Sequence, residues 1–349
     1  MEPEDLQQTN SSEVPHDILA NEDYSSIWRV MYIFTMVTYV VTCVLGMSGN
    51  GLVIWAAGFK LKRTAYTVCL LSLAMADFTF SLLLPLSITE LALDQWPFGR
   101  LLCQLNSGVE VLCMHASIFT LAAISVDRCI SVVLPIWSRN HHGPRLAAWF
   151  CLGIWLAAAI LSAPIFIFCE TKAQGNHTVC STYYLLEGEQ AALDAVNRRD
   201  EDYQALIEWA NGLVYARYRA VALAHFLLGF FLPFLIIAAS YSIIVLRLRW
   251  GLLAPSGRKP FKVIATIILA FLLCWAPYHI CSILLLLHPH DEPWPLALNV
   301  GIPLSIGLAY INSILNPVLY IFMWQDFRDL LKQSFQRVNS QGESMQSNL

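Results

Sequence analysis

The chain contains seven apolar stretches that are each long enough to cross a lipid bilayer as a helix. A bilayer core needs about 20 apolar residues in a helix. Charged residues are only 13% of the 349 residues, where soluble domains carry about a quarter, and the mean hydropathy is +0.55. The sequence therefore predicts an all-α fold, a seven-transmembrane helix bundle. The stretches are 30–58, 66–92, 102–134, 146–168, 218–246, 262–287 and 296–323.

Basic residues cluster in alternate connectors between these stretches. The positive-inside rule makes those connectors cytoplasmic and the N-terminus extracellular, as in a multi-pass protein of the plasma membrane. The opposite face is acidic and would attract cationic partners. With 21 Lys and Arg in the whole chain, we expect no binding of nucleic acid. The clustered bases include Lys60, Lys62, Arg63, Arg139, Arg145, Arg247, Arg249, Arg258, Lys259, Lys262, Arg328, Lys332 and Arg337.

The pattern divides the chain into three parts. Residues 1–29 form an acidic extracellular leader, and 30–323 form the bundle with a long outer connector at 169–217. Residues 324–349 predict a short amphipathic helix on the inner membrane surface, followed by a cytoplasmic tail. Asn10 and Asn176 begin glycosylation sequons, and both are expected outside.

Three of the ten cysteines lie at the predicted outer surface. Cys103 begins the third stretch and Cys180 lies in the long connector, so a disulfide between them is reasonable in an oxidising compartment. Cys169 is the alternative partner for either one. The other seven cysteines lie within the apolar stretches, where they indicate small packed side chains.

The motifs of common enzyme classes are absent from this sequence. It contains no HExxH, GxSxG, Walker A or GxGxxG pattern. The two membrane-embedded acids, Asp77 and Glu110, have no catalytic partner motif. The sequence predicts a protein that is not an enzyme and needs no cofactor, with an allosteric sodium ion as the one ion to consider.

Asp77 lies within the apolar run LSLAMADFTFSLLL. An acid at this depth costs roughly 2.5–3.5 kcal/mol, so it should face the bundle interior. Polar residues at similar depth are Asn50, Ser117, Asn312 and Asn316. Two interpretations remain open from the residues: mutual hydrogen bonding through buried water, or a site for a small hard cation such as Na⁺.

Prolines interrupt most of the stretches, including Pro277 in the sixth and Pro317 in the seventh. Each removes a backbone donor and favours a kink. Kinked helices around a hydrated interior favour a switch over a rigid anchor.

Landmark residues in all seven stretches carry a resemblance to a known family. They occur in order as Gly49-Asn50, Leu73-Ala74-Met75-Ala76-Asp77, Asp127-Arg128-Cys129, Trp155, Pro233 with Tyr241, Cys274-Trp275-Ala276-Pro277-Tyr278, and Asn316-Pro317-Val318-Leu319-Tyr320. The chain resembles a rhodopsin-like G-protein-coupled receptor. The stretches SVDRCISVVLPIWSRN and RKPFKVIATIILAFLLCWAPYHI are similar to the chemoattractant group, which includes formyl peptide, complement anaphylatoxin, chemerin and prostaglandin D2 receptors. Chemerin-type receptors look most similar.

The resemblance implies a cell-surface receptor for a chemotactic peptide or small protein. It implies coupling to a heterotrimeric G protein of the inhibitory class, with arrestin as a further partner. A non-signalling scavenger receptor and a lipid-mediator receptor are the alternatives. A sodium ion would bind at Asp77, Ser117, Asn312 and Asn316. The implied activation switch comprises Asp127, Arg128, Trp275, Pro277, Tyr241, Pro317 and Tyr320.

Eight residues toward the outer ends of the helices are predicted to line the ligand pocket. Glu110 should face the bundle, opposite His225, and together they favour an amine or basic group over a ligand carboxylate. Each histidine could instead be a core residue with satisfied hydrogen bonds, and Glu110 could pair with a nearby His or Tyr. The predicted set is Glu110, His225, Tyr278, His279, Glu90, Ser87, Tyr310 and Ser305.

The start of the sixth stretch, Ser256-Gly257-Arg258-Lys259-Pro260, carries no acid. Arg128 therefore cannot form a salt bridge there, and the inactive state would depend on Asp127 and packing. We expect measurable signalling without agonist.

Overall fold

The computed structural model describes residues 16–141, 143–195, 202–249, 259–287 and 296–323. The helices in these ranges are α1 (His16–Trp55, continued by a π-helical turn Ala56–Lys60), α2 (Ala65–Leu93), α3 (Gly99–Val133), α4 (Pro135–His141), α5 (Pro144–Phe168), α6 (Glu187–Ala195), α7 (Asp202–Ala224), α8 (Leu232–Arg249), α9 (Lys259–Leu287) and α10 (Leu296–Met323). A π-helical turn, His225–Phe231, joins α7 to α8. Asn10 and the predicted amphipathic helix lie outside the described residues.

Seven helical segments within the described residues are long and apolar enough to cross a membrane. One segment, Tyr203–Arg247, combines α7, the π-helical turn and α8. The predicted seven-helix bundle is therefore confirmed. Two helices extend beyond the predicted stretches: α1 already begins at His16 and α7 at Asp202, inside the predicted long connector.

Burial in the bundle is inverted relative to a soluble protein. Large apolar side chains such as Trp149 and Ile160 are exposed at 72% and 74%, as suits lipid-facing helix surfaces. Polar side chains such as Asn50, Asp77 and Asn316 are at most 2% exposed. The interior is therefore where the polar chemistry of this protein lies.

The sequence explains where α2 begins. The Thr64 side-chain oxygen accepts a hydrogen bond from the Thr67 backbone N–H at 3.2 Å, and the Thr67 hydroxyl oxygen accepts one from the Thr64 N–H at 2.8 Å. This reciprocal cap satisfies donors that the first helical turn leaves free. It sets the register of α2, which carries Asp77 and Ser87.

A β-hairpin follows α5 and covers one end of the bundle, which we call the hairpin end. Strands β1 (Cys169–Gln174) and β2 (His177–Thr182) pair antiparallel, with Cys169 opposite Thr182. The turn uses Gly175 at φ +63°, a conformation that glycine adopts without strain. Asn176 lies in this turn and is exposed.

A disulfide between Cys103 and Cys180 ties β2 to the start of α3. The predicted pairing is confirmed, and Cys169, the alternative partner, is a free thiol. The Trp96 backbone N–H also donates to the Thr178 carbonyl at 2.7 Å. The hairpin is thus held over the helices at two points.

Candidate functional site

Asp77 on α2 lies at the centre of the bundle and is 2% exposed. Its Oδ1 accepts a hydrogen bond from Ser117 Oγ on α3 at 2.5 Å, and its Oδ2 accepts one from Asn316 Nδ2 on α10 at 2.7 Å. The structure therefore brings three of the four predicted sodium-site residues into direct contact. A carboxylate with two neutral donors can bind a hard cation without losing its orientation.

Asn312, the fourth predicted residue, lines the cavity next to Asp77 and is 4% exposed. Sequence reasoning missed its neighbour Ser313, which lines the same cavity as Asp77. The Ser313 carbonyl also accepts from Asn50 Nδ2 on α1 at 3.0 Å, and Asn50 Oδ1 is buried without a hydrogen-bond partner among the described residues. The oxygen atoms of Asp77, Ser313 and Asn50 are ligands of the kind that Na⁺ prefers.

Glu110 on α3 lies in the same cavity as Asp77. Its Oε1 accepts from Ser87 Oγ on α2 at 3.0 Å and from Asn106 Nδ2 at 3.1 Å. The prediction that Glu110 faces the bundle interior matches this position. Asn106, one helical turn before Glu110, was missed by sequence reasoning, although residues four apart on a helix are neighbours.

The cavity between the two acids encloses about 190 Å³. Trp275 and Tyr278 on α9 and Tyr310 on α10 line it. Glu90 lies nearer the hairpin end, where its side chain is close to the Cys180 backbone. One cavity therefore joins predicted ligand-pocket residues to the predicted sodium site.

The two predicted histidines belong to a separate cluster of rings. His225 Nε2 donates to the Leu161 carbonyl at 3.1 Å, and the His279 ring stacks on Phe230 with centroids 4.7 Å apart. Neither is among the residues that line the described cavity. Both histidines therefore pack in the core, but only His225 matches the alternative of a satisfied core histidine, since His279 Nε2 has no hydrogen-bond partner among the described residues.

His115 on α3, which sequence reasoning missed, completes this cluster. Its ring lies 4.8 Å from the His225 ring, and its Nδ1 donates to the Val111 carbonyl at 2.8 Å. A Cβ on Gly229 would lie 2.8 Å from His115 Nε2, so the glycine allows this close approach.

Ser305, another residue predicted to line the ligand pocket, is also buried, and its hydroxyl donates to the Ile302 carbonyl in its own helix.

The end of the bundle opposite the hairpin contains a second concave region, which we call the Arg128 cleft. It encloses about 760 Å³ and is lined by Asp127 and Arg128 at the end of α3. The Arg128 guanidinium lies 3.8 Å from the centre of the Tyr66 ring on α2. The other lining residues include three bases, which are Lys60, Lys62 and Arg139.

The remaining predicted switch residues lie between the cavity and the Arg128 cleft. Trp275 is 5% exposed, and its indole N–H has no hydrogen-bond partner among the described residues. Tyr241 is also buried. Pro277 lies within α9 and Pro317 within α10. Tyr320 is on α10, and its side chain lies outside the described part of the structure.

The bundle, the buried acid and the arginine at the end of α3 define a class of membrane receptor. The family model for the seven-transmembrane receptors of the rhodopsin family matches residues 49–320. The chain belongs to this family of G-protein-coupled receptors. Such proteins are multi-pass membrane receptors and not enzymes.

Individual relatives place the chain near receptors for chemotactic ligands. It is 40% identical to Chemerin-like receptor 1 of Sus scrofa over 324 residues, which cover 92% of this chain and 85% of that protein. It is 36% identical to the C3a anaphylatoxin chemotactic receptor of Danio rerio, covering 91% and 80%. It is also 36% identical to Formyl peptide receptor 2 of Mus musculus, covering 87% and 84%.

Proposed function

We propose that this protein is a cell-surface receptor for an extracellular chemotactic peptide or small protein, chemerin-like in type. It signals through a heterotrimeric G protein of the inhibitory class. The single observation that carries the proposal is that one helix, α3, lines both the central cavity, through Glu110, and the Arg128 cleft. The names of the similar proteins support the ligand class.

The orientation follows from charge. The bases Lys60, Lys62 and Arg139 around the Arg128 cleft favour the cytoplasmic side of the plasma membrane. The hairpin end and the N-terminus are then extracellular. Asn176, exposed in the hairpin turn, is a glycosylation site in this orientation.

Activation is a shift between two packings of the bundle. Trp275 lines the cavity, and Pro277 interrupts the backbone ladder of α9 two residues later, so that α9 can bend there. A ligand in the cavity and a G protein in the Arg128 cleft favour the same open packing, and each therefore strengthens binding of the other. Tyr241, Pro317 and Tyr320 belong to the same switch.

Asp77, Ser117, Asn312 and Asn316 would hold a sodium ion in the closed packing. The ion supplies a positive charge that balances the buried carboxylate. The protein residues orient that carboxylate through the Ser117 and Asn316 hydrogen bonds. Any motion of α10 relative to α2 would break the Asn316 contact, which links the site to activation.

The test is inhibition of cAMP production in cells that express the receptor, with chemerin, C3a and formyl peptides as probes. We expect at least one probe to lower cAMP in a manner blocked by pertussis toxin. Arg128→Ala should lose this response by more than about tenfold in potency or amplitude, because it removes a charge from the cleft. Surface expression of both forms is the control. Peptide uptake without any cAMP change would identify a scavenger receptor instead.

A further inference from the structure

The central cavity is small compared with the pockets that hold whole ligands. Its volume is about 190 Å³. Pockets that enclose drug-sized ligands run to about 300–1,000 Å³. The cavity therefore admits one side chain or a small functional group of a larger ligand.

Glu110 is held by neutral donors alone within the described residues. Ser87 and Asn106 both donate to its Oε1, and the Tyr310 hydroxyl is the next neutral donor close to it. The ion pairs among described side chains involve other acids, Glu170 and Glu189. A carboxylate in a membrane-spanning helix without a cation partner is costly and marks a functional site.

Two further acceptors lie around Glu110. Asn106 is 5% exposed, and its amide nitrogen donates to Ser87 and Glu110. Its carbonyl oxygen, Oδ1, has no hydrogen-bond partner among the described residues. Glu90 is close enough for its charge to interact with that of Glu110. The group therefore presents excess negative charge and a free carbonyl acceptor.

We propose that Glu110 binds an alkylammonium group of the ligand, such as a lysine side chain or a free amine. This inference rests on the proposed function, in which the cavity is the ligand site, and it names the ligand chemistry. An ammonium has three donors and no acceptor, which matches the Glu110 carboxylate together with Asn106 Oδ1. A ligand carboxylate at this point would meet like charges from Glu90 and Glu110.

The probe is n-butylammonium chloride, which has the same carbon chain and charge as the end of a lysine side chain. Thermal unfolding of the purified receptor in sodium-free detergent buffer is measured with this salt, with n-butanol and with choline butyrate. We expect a rise in Tm with n-butylammonium alone. No rise in the wild-type receptor would overturn the proposal without reference to any variant.

Two variants then assign the site. Glu110→Gln keeps the shape of the side chain and should weaken n-butylammonium binding at least tenfold, and Glu110→Asp should retain part of it. Asp77→Asn is the matched control, because Asp77 is the other acid in the cavity, and it should keep the effect. Equal shifts in wild type and Glu110→Gln, or a loss confined to Asp77→Asn, would contradict the assignment to Glu110.

Peptide ligands are the second source of the same chemistry. A peptide agonist found in the cAMP assay is resynthesised with each lysine replaced in turn by norleucine. If the ammonium comes from the peptide, one replacement should weaken it at least tenfold in the wild type and much less in Glu110→Gln. If n-butylammonium binds and no lysine matters, the source is a free amine.

Basal G-protein activation is measured on the same preparations. A receptor that activates G protein and ignores n-butylammonium overturns this inference alone. A receptor that binds n-butylammonium and never activates G protein overturns the proposed function alone.

An independent observation concerns three sulfur atoms beneath the hairpin. The free thiol of Cys169 is 1% exposed. Its Sγ lies 3.5 Å from Cys103 Sγ and 3.8 Å from Cys180 Sγ, the two atoms of the disulfide. The Cys169 thiol donates to Ser107 Oγ at 3.4 Å. The thiol therefore lies beside the S–S bond, in contact with both sulfurs, and a rotation of the Cys169 side chain would bring it into line for attack.

We infer that Cys169 exchanges with this disulfide, so that the hairpin is tied to α3 through either of its strands. The Cys169 thiolate attacks Cys103 Sγ, the Cys103–Cys169 bond forms and the Cys103–Cys180 bond breaks. Cys180 leaves as a thiolate and takes up the proton that Cys169 lost. No oxidant is consumed, because one disulfide replaces another.

The exchange would move the covalent tie from β2 to β1. Cys180 would become free of α3, and its backbone contact with Glu90 would no longer be fixed by the disulfide. Burial raises the pKa of the Cys169 thiol, so the thiolate is scarce at neutral pH. The exchange should accordingly speed up as the pH rises.

The test is peptide mapping by mass spectrometry without reduction, after incubation at pH 6.5 or 8.5 and trapping with N-ethylmaleimide. We expect a Cys103–Cys169 linkage in the wild type, with more of it after pH 8.5. Cys169→Ser, the control, should show Cys103–Cys180 at both values. A wild type that shows Cys103–Cys180 alone, with Cys169 fully trapped at both pH values, would overturn the inference.

Discussion

The guanidinium of Arg128 lies over the aromatic ring of Tyr66, 3.8 Å from its centre. Arg128 lies near the end of α3 and Tyr66 in the first turn of α2, so this contact joins two helices at the edge of the Arg128 cleft. A cation over an aromatic face is worth about 0.5–2 kcal/mol. The contact gives Arg128 a partner that the sequence did not suggest.

We expect the Arg128–Tyr66 contact to restrain basal signalling. Tyr66→Leu removes both the ring and the hydroxyl, and the loss of about 1 kcal/mol should raise basal G-protein activation roughly fivefold. Tyr66→Phe is the matched control, because it keeps the ring and should raise activity less. Agonist-independent activation per receptor at the cell surface is the measurement. Equal activity in all three forms would contradict the restraint.

Basal signalling of the wild-type receptor is itself a prediction. The start of the sixth stretch has no acid to pair with Arg128, so no salt bridge there holds the closed packing. We expect agonist-independent G-protein activation above that of cells carrying an empty vector. A signal equal to the vector control would count against this account.

Sodium should stabilise the receptor through Asp77. Replacing choline chloride by sodium chloride at constant ionic strength should raise the Tm of the wild type. At ten times the dissociation constant the gain is about 1.4 kcal/mol. Asp77→Asn should abolish the difference, whereas Glu110→Gln should keep it. A sodium effect that survives Asp77→Asn would place the ion elsewhere.

The contact between α6 and α7 should show a defined pH dependence. Arg217 donates to both oxygens of Glu189, at 2.6 and 2.8 Å, and with the Leu186 N–H lowers the Glu189 pKa to about 2. Because the folded pKa is below the unfolded value of about 4.3, the pair stabilises the fold above that value. This stabilisation is lost as the pH falls toward 2.

Glu189→Gln removes this ionisation and keeps the shape of the side chain. We expect its Tm to lie below that of the wild type by a constant amount above pH 5, with the difference shrinking from pH 4.5 to pH 3. Glu170→Gln is the control, because Glu170 pairs with Lys172 on its own strand and does not join α6 to α7. A difference that grows in acid would reverse the sign and refute the argument.

Close packing of α1 against α2 requires glycine at position 46. A Cβ there would overlap the Ser81 hydroxyl oxygen, so Gly46→Ala should lower the free energy of unfolding by about 1–3 kcal/mol. Gly153→Ala is the control, since a Cβ there meets nothing within 4 Å. Adding Ser81→Ala to Gly46→Ala should restore part of the loss. Additive losses in the double variant would show that the two sites do not touch.

The number of membrane-spanning helices and their order along the chain could be predicted, because they depend only on where the apolar residues fall in the sequence. Stretches of about 20 apolar residues must form helices in a bilayer, where backbone groups have no other partners. The same reasoning placed Asp77 in the interior, where it meets Ser117 and Asn316. It also placed Cys103, Cys169 and Cys180 at the same membrane face and favoured the Cys103–Cys180 disulfide, with Cys169 as the alternative partner.

Contacts between helices could not be predicted, because they depend on how each helix is rotated and shifted against its neighbours. Tyr66 under Arg128 and Ser313 next to Asp77 follow from such rotations. The same is true of His225 and His279, which were predicted to line the ligand pocket and instead pack with His115 and Phe230. A helical period of 3.6 residues limits which residues share a face and leaves open which helix that face meets.

The sequence by itself determined that this is a seven-helix membrane protein with two acids, Asp77 and Glu110, facing its interior, because burying a charge and solvating a backbone have costs that any arrangement must meet. Its motifs carried the resemblance to a receptor family. The tertiary structure alone decided that Glu110 and Asp77 share one cavity and that three sulfur atoms lie in contact. Both depend on side-chain positions set by packing across several helices, and no local pattern of residues encodes those positions.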